Sequence, residues 1–378
     1  MQRIINFFHS MRFGCSVSNC ALELWQTFNK KGFESIISTA SADRIHPNFL
    51  WEEDVVLIDD LEIKKDDVLV YHSGGNSSYA FSLGALKCRK VLVYHNETPP
   101  VFFTDYARPL GTSNDIDENV YPASLPSILL SAIKSRLDIP RLASLYQTAW
   151  TDSQYNASCL KKAGYKSVEV LPIPYKRPWQ TASATRSIMD ECANTRNILY
   201  VGRIIPNKKQ VDIIKAFSYY NRIEPNSKLF LVGHIEFSEK YKDEFLSYAD
   251  SLGVGGLVFM PGKVSDEDLE AYWQSASLFL SMSEHEGFCI PLLEAMAHEV
   301  PVLAYASSAV TETLGNAGVL FYQKNFPRVA EVMNSIIESS ERTQALKAAG
   351  LEHIKAYHPD RIADLAVQLM KKVLDSDI

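Results

Sequence analysis

Ser283-Glu284-His285-Glu286-Gly287-Phe288-Cys289-Ile290-Pro291-Leu292-Leu293-Glu294-Ala295-Met296 follows the apolar run Leu278-Phe279-Leu280, and its reading decides the rest of the chain. The run predicts a buried strand that empties into a short polar loop. Pro291 suits the first position of a helix, where a missing N–H costs nothing. Glu294 then lies about one turn inside that helix, and Glu286 stays in the loop before it. Two carboxylates therefore straddle a helix start whose N–H groups attract anions. In open α/β folds a strand-loop-helix at the carboxyl end of a parallel sheet is where ligands bind. Read without its context, the pair is a loop acid and a first-turn acid, each favourable near the helix dipole.

The same alternation of short apolar runs and helix-length segments extends in both directions. In the first half it predicts strands at 4–9, 34–39, 68–72, 91–95, 147–151 and 168–171, with helices at 19–31 and 154–163, each closed by glycine. Strands are expected again at 198–201, 229–232, 257–260, 278–280, 302–304 and 319–321, with helices at 211–220 and 266–274. Helical segments at roughly 327–340, 343–356 and 360–374 end the chain. Alternation of this kind predicts parallel sheets covered on both faces. Proline density from Pro172 to Pro178 and a polar stretch up to Asn197 mark a linker. The expected division is an N-terminal Rossmann-like domain at 1–175, a linker at 176–196, a second Rossmann-like domain at 197–356 and a C-terminal helix at 357–378.

A length of 378 residues agrees with two domains, since single cores stop growing near roughly 250–300 residues. A hydrophobic content of 46% with 22% charged residues belongs to an ordinary soluble protein, and no apolar stretch is long enough to span a bilayer. The amino terminus is too short and polar for a signal peptide. The six cysteines (15, 20, 88, 159, 192 and 289) show no paired metal spacing and read as thiols of a reducing compartment, so a cytoplasmic location is expected. Cys15 and Cys20 are close, but no second pair or His cluster is seen in the sequence to complete a zinc site. The sequons at Asn76, Asn96 and Asn156 are then accidental. All of the net charge of −7 arises beyond residue 180, and residues 131–177 carry eight basic side chains against three acids. That excess suits an anionic membrane surface, such as the inner face of the cytoplasmic membrane, or a lipid-diphosphate acceptor; it equally suits a solvated basic face. Nucleic acid is excluded as a partner, because an acidic chain without a basic-aromatic module lacks the electrostatic footprint.

Val201-Gly202-Arg203-Ile204-Ile205-Pro206-Asn207-Lys208-Lys209 follows the first strand of the second half. Glycine at a strand exit lets the backbone turn and approach a ligand. Arginine offers a bidentate fork for phosphate oxygens, and lysine adds a compact point charge. In the first half, Val93-Tyr94-His95-Asn96-Glu97-Thr98-Pro99-Pro100 ends a strand with a histidine at its carboxyl tip. Met11-Arg12-Phe13-Gly14-Cys15-Ser16 follows the first strand, with one glycine. Asp115-Ile116-Asp117 has the form of a metal-holding pair but lies in a polar loop, and is set aside as a metal site. The tryptophans at 25, 51, 150, 179 and 273 are read as core residues for the most part.

The string Glu286-Gly287-Phe288-Cys289-Ile290-Pro291-Leu292-Leu293-Glu294-Ala295-Met296-Ala297, followed by Val300-Pro301-Val302-Leu303-Ala304, resembles the Glu-x7-Glu signature of retaining family 4 glycosyltransferases of the GT-B fold. Gly202-Arg203 to Lys208 is similar to that family's Gly-Arg-x4-Lys diphosphate motif. Tyr94-His95-Asn96-Glu97-Thr98-Pro99 resembles a Tyr-His-Asn-x-Thr-Pro string of its bacterial polysaccharide members, and Thr311-Glu312-Thr313 another recurring segment. The resemblance implies two Rossmann-like α/β domains with a cleft between them and C-terminal helices that cross back to the first. It implies a hexosyl transfer from a nucleotide-diphosphate sugar, GDP-mannose or a UDP-sugar, to a glycan acceptor on a lipid carrier in bacterial O-antigen or capsule synthesis, with no metal or other cofactor. By the same resemblance Arg203 and Lys208 hold the diphosphate, Glu294 the ribose hydroxyls, Glu286 the donor sugar, and His95 the sugar or the acceptor. The chemistry is then expected of Glu286, His95, Arg203 and Lys208. The donor site also takes Gly202, Gly287, Phe288, Cys289, Ile290 and Glu294, and Gly14 is a weaker member of the acceptor and diphosphate loop. Two competing readings are a GT-B epimerase or phosphorylase, and a non-catalytic nucleotide-sugar-binding subunit of a glycan assembly complex.

Overall fold

The computed structural model describes residues 2–10, 16–41, 55–74, 79–104, 125–175, 183–235 and 239–376. Gly14, the Asp115–Asp117 pair, Cys15, Asn76, Trp51, Trp179, Lys176 and Arg177 lie outside them. The chain divides into two units. One takes residues 1–100, 129–174 and 357–378, and the other takes 101–128 and 175–356.

Unit 1 is built on a seven-stranded sheet: β1 (Arg3–Ser10), β2 (Glu34–Ser41), β3 (Val55–Leu57), β4 (Val68–Ser73), β5 (Arg89–Tyr94), β6 (Thr148–Thr151) and β7 (Ser167–Val170). Its order is β3-β2-β1-β4-β5-β6-β7, and every pairing is parallel. The central strands β1, β4 and β5 are mostly apolar and buried because both faces of the sheet are covered. Leu69, Tyr71 and Leu92 pack on one side with Phe7, Leu142 and Tyr146. Val68, Val70, Val91 and Val93 point to the other side, where Phe28 and Trp150 join them. The last helix of the chain, Pro359–Leu374, closes that second face with Ile362, Ala366, Leu369, Met370 and Val373. Lys31 and Asp364 (2.7 Å) and Lys372 and Glu169 (2.9 Å) form exposed ion pairs along it. Leu369 is 3% exposed, so Leu369→Ala is expected to cost about 2–5 kcal/mol in chemical denaturation.

Unit 2 carries a six-stranded parallel sheet of order β10-β9-β8-β11-β12-β13. Its strands are β8 (Arg196–Val201), β9 (Ser227–Val232), β10 (Val258–Gly262), β11 (Leu278–Ser281), β12 (Val302–Tyr305) and β13 (Val319–Phe321). One face packs Ile198, Tyr200, Leu229, Leu231, Leu280 and Leu303 against the helices Gln210–Ile223 and Phe326–Glu338. On the other, Trp273 of helix Asp266–Ser275 meets Phe279 at 5.5 Å between ring centroids. Trp150 and Trp273 are both fully buried.

Several elements escape the sequence reading, among them the helices Leu125–Leu142 and Glu239–Ser251, the strand β3 and a short helix in the expected linker. β3 has only three residues and contributes no apolar periodicity. Arg186–Cys192, inside the polar stretch of the expected linker, is a helix whose entry is tied to helix Asp266–Ser275 by Thr185 Oγ1 donating to Asp268 (2.6 Å). A helix of seven residues is too short to show a pattern of its own. Among the described residues no helix is long and apolar enough to cross a membrane. The described cysteines form no disulfide, and Asn156 is fully buried.

Candidate active site

In unit 2 the carboxyl ends of β8, β11 and β12 meet because the strand order places β8 beside β11 and β11 beside β12. The β8 exit turns at Gly202 (φ +151°), whose N–H donates to Val232 O at 2.9 Å. On the neighbouring β9 exit Gly233 (φ +147°) lies so close that a Cβ built on it would stand 1.9 Å from Gly202 O. The sequence reading passed over Gly233, since a lone glycine after a strand carries no signal of what lies beside it.

Beyond Gly202 the loop is pinned from beneath. Gln210 Nε2 (2.9 Å) and Tyr200 OH (3.3 Å) both donate to Arg203 O, while the Arg203 side chain is exposed. Buried Asn207 donates to His285 O at 2.9 Å and accepts from Glu284 N at 2.9 Å, which joins the β8 loop to the β11 loop. The turn Pro206–Lys208 then presents Lys208 Nζ to the Glu286 carboxylate in an ion pair; its side chains are 14% and 10% exposed. These two residues, read separately in sequence, form one charged unit.

The acidic loop is held as firmly. Glu286 N donates to Ser308 Oγ at 2.8 Å, Ser307 Oγ to Ser283 O at 2.5 Å and Thr313 Oγ1 to Phe288 O at 2.6 Å. Glu284 pairs with Lys324 (2.7 Å) and Lys209 (3.3 Å), and Lys324 also reaches Asp212 (2.6 Å). Burial alone would raise the Glu284 pKa; Lys324 and Lys209 outweigh it and hold the group below its usual value. Cys289 caps the helix Ile290–Ala297 in the left-handed region (φ +76°), an uncommon place for a side chain and a mark of local strain. Burial, and next the Glu286 charge, push its thiol well up, so it stays protonated.

Glu294 sits in that helix with its carbonyl accepting from His298 N (3.1 Å) and Nδ1 (2.7 Å), and His298 Nε2 meets Glu270 at 2.9 Å. The residue keeps part of its surface in water, yet burial of the carboxyl pushes its pKa up to about 7. Below about pH 4.5 the acid is protonated folded and unfolded alike. Between there and pH 7 the unfolded chain loses a proton that the folded chain keeps, so stability falls as pH rises, and above pH 7 the loss is complete. Glu294→Gln has no proton to lose. It is expected to match the parent near pH 4 and to exceed it by about 1–3 kcal/mol at pH 8, a gap visible as a melting-temperature difference that widens with pH.

Unit 1 places His95 one residue beyond β5, where its N–H donates to Ser73 O (3.3 Å). Its ring stacks on that of His72 from β4 (centroids 5.5 Å, 10° between planes), with His95 Nε2 and His72 Nδ1 3.2 Å apart. Burial lowers the His95 pKa to about 4 and takes His72 well down, the latter with a further push from His95. Both imidazoles are therefore neutral at pH 7. His72 was not singled out from the sequence; in the run Val68–Ser73 it reads as one more buried strand residue. Glu312 lies half-buried in the first turn of the helix Val310–Leu314.

The arrangement in unit 2 offers cations and a buried ion pair at the carboxyl rim of a parallel sheet, which suits a phosphorylated ligand with a polar appendage. Two parallel-sheet Rossmann-like units define the GT-B fold. Anabaena HepE, solved with UDP-glucose, matches 98% of this chain and 100% of its own at a TM-score of 0.72 and 14% identity. Residues 188–353 match the family described as Glycosyl transferases group 1, and the chain carries that domain. Relatives include a GDP-mannose-dependent monoacylated alpha-(1-6)-phosphatidylinositol monomannoside mannosyltransferase of Corynebacterium glutamicum (27% identical over 182 residues, 46% of each chain). Another is the O-antigen chain mannosyltransferase B of Escherichia coli (26% over 192 residues, 50% of this chain and 46% of the relative). The matches span about a quarter to a half of the length of the first curated relatives.

Proposed function

We propose that the protein is a retaining, metal-independent family 4 hexosyltransferase. It would take a nucleotide-diphosphate sugar, GDP-mannose or a UDP-sugar, and a glycan acceptor on a lipid carrier in bacterial surface polysaccharide synthesis. The observation that carries the reading is the Lys208–Glu286 pair, formed between the two loops that hold the family motifs. The diphosphate of the donor competes with Glu286 for Lys208. Binding draws the ammonium onto phosphate oxygen, beside the Arg203 guanidinium, and releases Glu286 to accept from the sugar hydroxyls. As the bond from C1 to the phosphate oxygen breaks, negative charge grows where the two cations already stand. The acceptor oxygen bonds to C1 on the same face, and its proton passes to the departing phosphate oxygen. Glu294 takes the ribose hydroxyls, and His95, neutral, supplies a hydrogen bond to sugar or acceptor. The names of the relatives, which speak of mannosyl transfer to lipid-linked and O-antigen acceptors, support the acceptor class. Residues 131–177 are the proposed contact with the inner membrane surface.

A thermal-shift series with GDP, UDP, dTDP, ADP and CMP and their sugars, with and without EDTA, tests the donor site. One diphosphate at a hundredfold excess over Kd is expected to stabilise the protein by about 2.7 kcal/mol, EDTA making no difference. Proton NMR of the product then reads the anomer. Silence from every nucleotide would remove the donor-site assignment, and an inverted anomer the retaining mechanism.

A further inference from the structure

At the carboxyl rim of the unit 1 sheet, Cys20 of helix Ser16–Lys30, His72 of β4 and His95 beyond β5 bring one ligand atom each within 4.8 Å of one another. We infer that these three side chains form a binding site for a borderline-soft divalent ion of the Zn²⁺ class. The hydrogen-bond chain behind them fixes the tautomers. Ser35 Oγ donates to Ile4 O (3.3 Å) and so accepts from Asn6 Nδ2 (3.0 Å), which turns Asn6 Oδ1 toward His72 Nε2 at 3.5 Å. That oxygen can only accept, so Nε2 of His72 carries the proton and Nδ1 a lone pair.

His72 Nδ1 faces His95 Nε2 at 3.2 Å, the separation of two nitrogens on one tetrahedral ion with bonds of about 2.0–2.1 Å. Without metal, His95 Nε2–H donates across this gap, and the buried His95 Nδ1 has no partner. With metal, both lone pairs coordinate and the His95 proton moves to Nδ1. The remaining nitrogen of His72 is already oriented from behind by Asn6, the arrangement metal-bound histidines ordinarily show. Cys20 gives up its proton to the solvent and binds as thiolate. Two neutral imidazoles and one thiolate leave a net single positive charge on the loaded site, and Asp152, buried and close enough to act on Cys20, opposes it. Three protein ligands leave a fourth position for water or an incoming group.

The site shares His95 with the proposed transfer reaction, whose cations lie in unit 2, and an occupied site would withdraw that imidazole from sugar or acceptor. Ion binding is read directly, so it is tested apart from transfer activity. Metal-stripped full-length protein is titrated with Co²⁺ and followed by absorbance, then with Zn²⁺ in competition with a chromogenic chelator. One ion per chain is expected, with d–d bands of tetrahedral cobalt and a thiolate-to-metal charge-transfer band. Cys20→Ser should abolish the charge-transfer band, and His72→Gln and His95→Gln should each weaken Zn²⁺ by more than about 100-fold, beyond what loss of an orienting partner does. Cys88→Ser and Cys192→Ser should leave the titration unchanged. Circular dichroism and melting of each metal-free variant separate lost ligation from lost folding. If the folded parent binds no stoichiometric ion, the histidines are a hydrogen-bonded pair only and the proposal is wrong. It is equally wrong if the charge-transfer band survives in Cys20→Ser or disappears in Cys192→Ser.

Discussion

Lys208→Ala is expected to lower kcat/KM for sugar transfer by about 10²–10³-fold, the usual loss when one preorganised donor to a developing anion is removed. The same change should destabilise the unliganded protein by about 2–4 kcal/mol, because it strands the Glu286 carboxylate, which is 8% exposed, without its cation. These two effects have different origins and separate in a third protein. Lys208→Met combined with Glu286→Gln removes both charges together. Its stability should return to within about 1 kcal/mol of the parent, since the desolvation of both ions vanishes with their attraction. Its transfer rate should stay as low as that of either single variant, because residues that act as a unit do not add. Urea melts and initial rates on Lys208→Ala, Glu286→Gln and the double variant decide the matter. A double variant that regained activity would show the pair to be structural.

Gly233→Ala is the second large effect expected, and it touches no charged group. A methyl at this position would lie 1.9 Å from Gly202 O and 2.7 Å from Gly202 C, both backbone atoms that no rotamer change can move. The φ of +147° disfavours any side chain besides. Relief requires the β9 exit to part from the β8 exit and breaks the bond from Gly202 N to Val232 O. A loss of at least about 3 kcal/mol is expected, in the range kept for backbone strain and overpacking. The displaced β8 loop carries Arg203 and Lys208, so nucleotide affinity should fall with stability. Gly256→Ala, where an added methyl meets nothing within 4 Å, is the control and should stay within about 1 kcal/mol. Equal melting curves for the two variants would contradict the close approach.

Both expectations rest on contacts that have no counterpart in the linear sequence. The twelve strands expected from apolar runs are all present, within two residues at their ends for nearly all of them, because a buried parallel strand writes its burial into consecutive residues. The position of the Gly202–Lys208 loop past a strand end, and those of Glu286 before and Glu294 inside the next helix, were legible for a related reason: glycine, proline and charge at fixed offsets from a strand end mark a turn. His72 was illegible because a strand histidine between Tyr71 and Ser73 looks like any satisfied core residue. Its meaning comes from His95, 23 residues away and just past the end of the next strand. Glu270 and His298, which steady the helix of Glu294, are separated by 28 residues and share no pattern.

By itself the sequence determined which segments are strands, that they run in two parallel series, and which loops carry cations and acids, since local burial and turn chemistry act within a few residues. Tertiary structure alone decided which of those loops meet. Strand order puts β8 against β11, and so joins Lys208 to Glu286 across 78 residues. It also gathers Cys20, His72 and His95 at one rim and lays the last helix on the first sheet. Such contacts follow from the order in which strands pair, and that order minimises exposed apolar surface over the whole unit, a sum to which no single stretch of residues holds the answer.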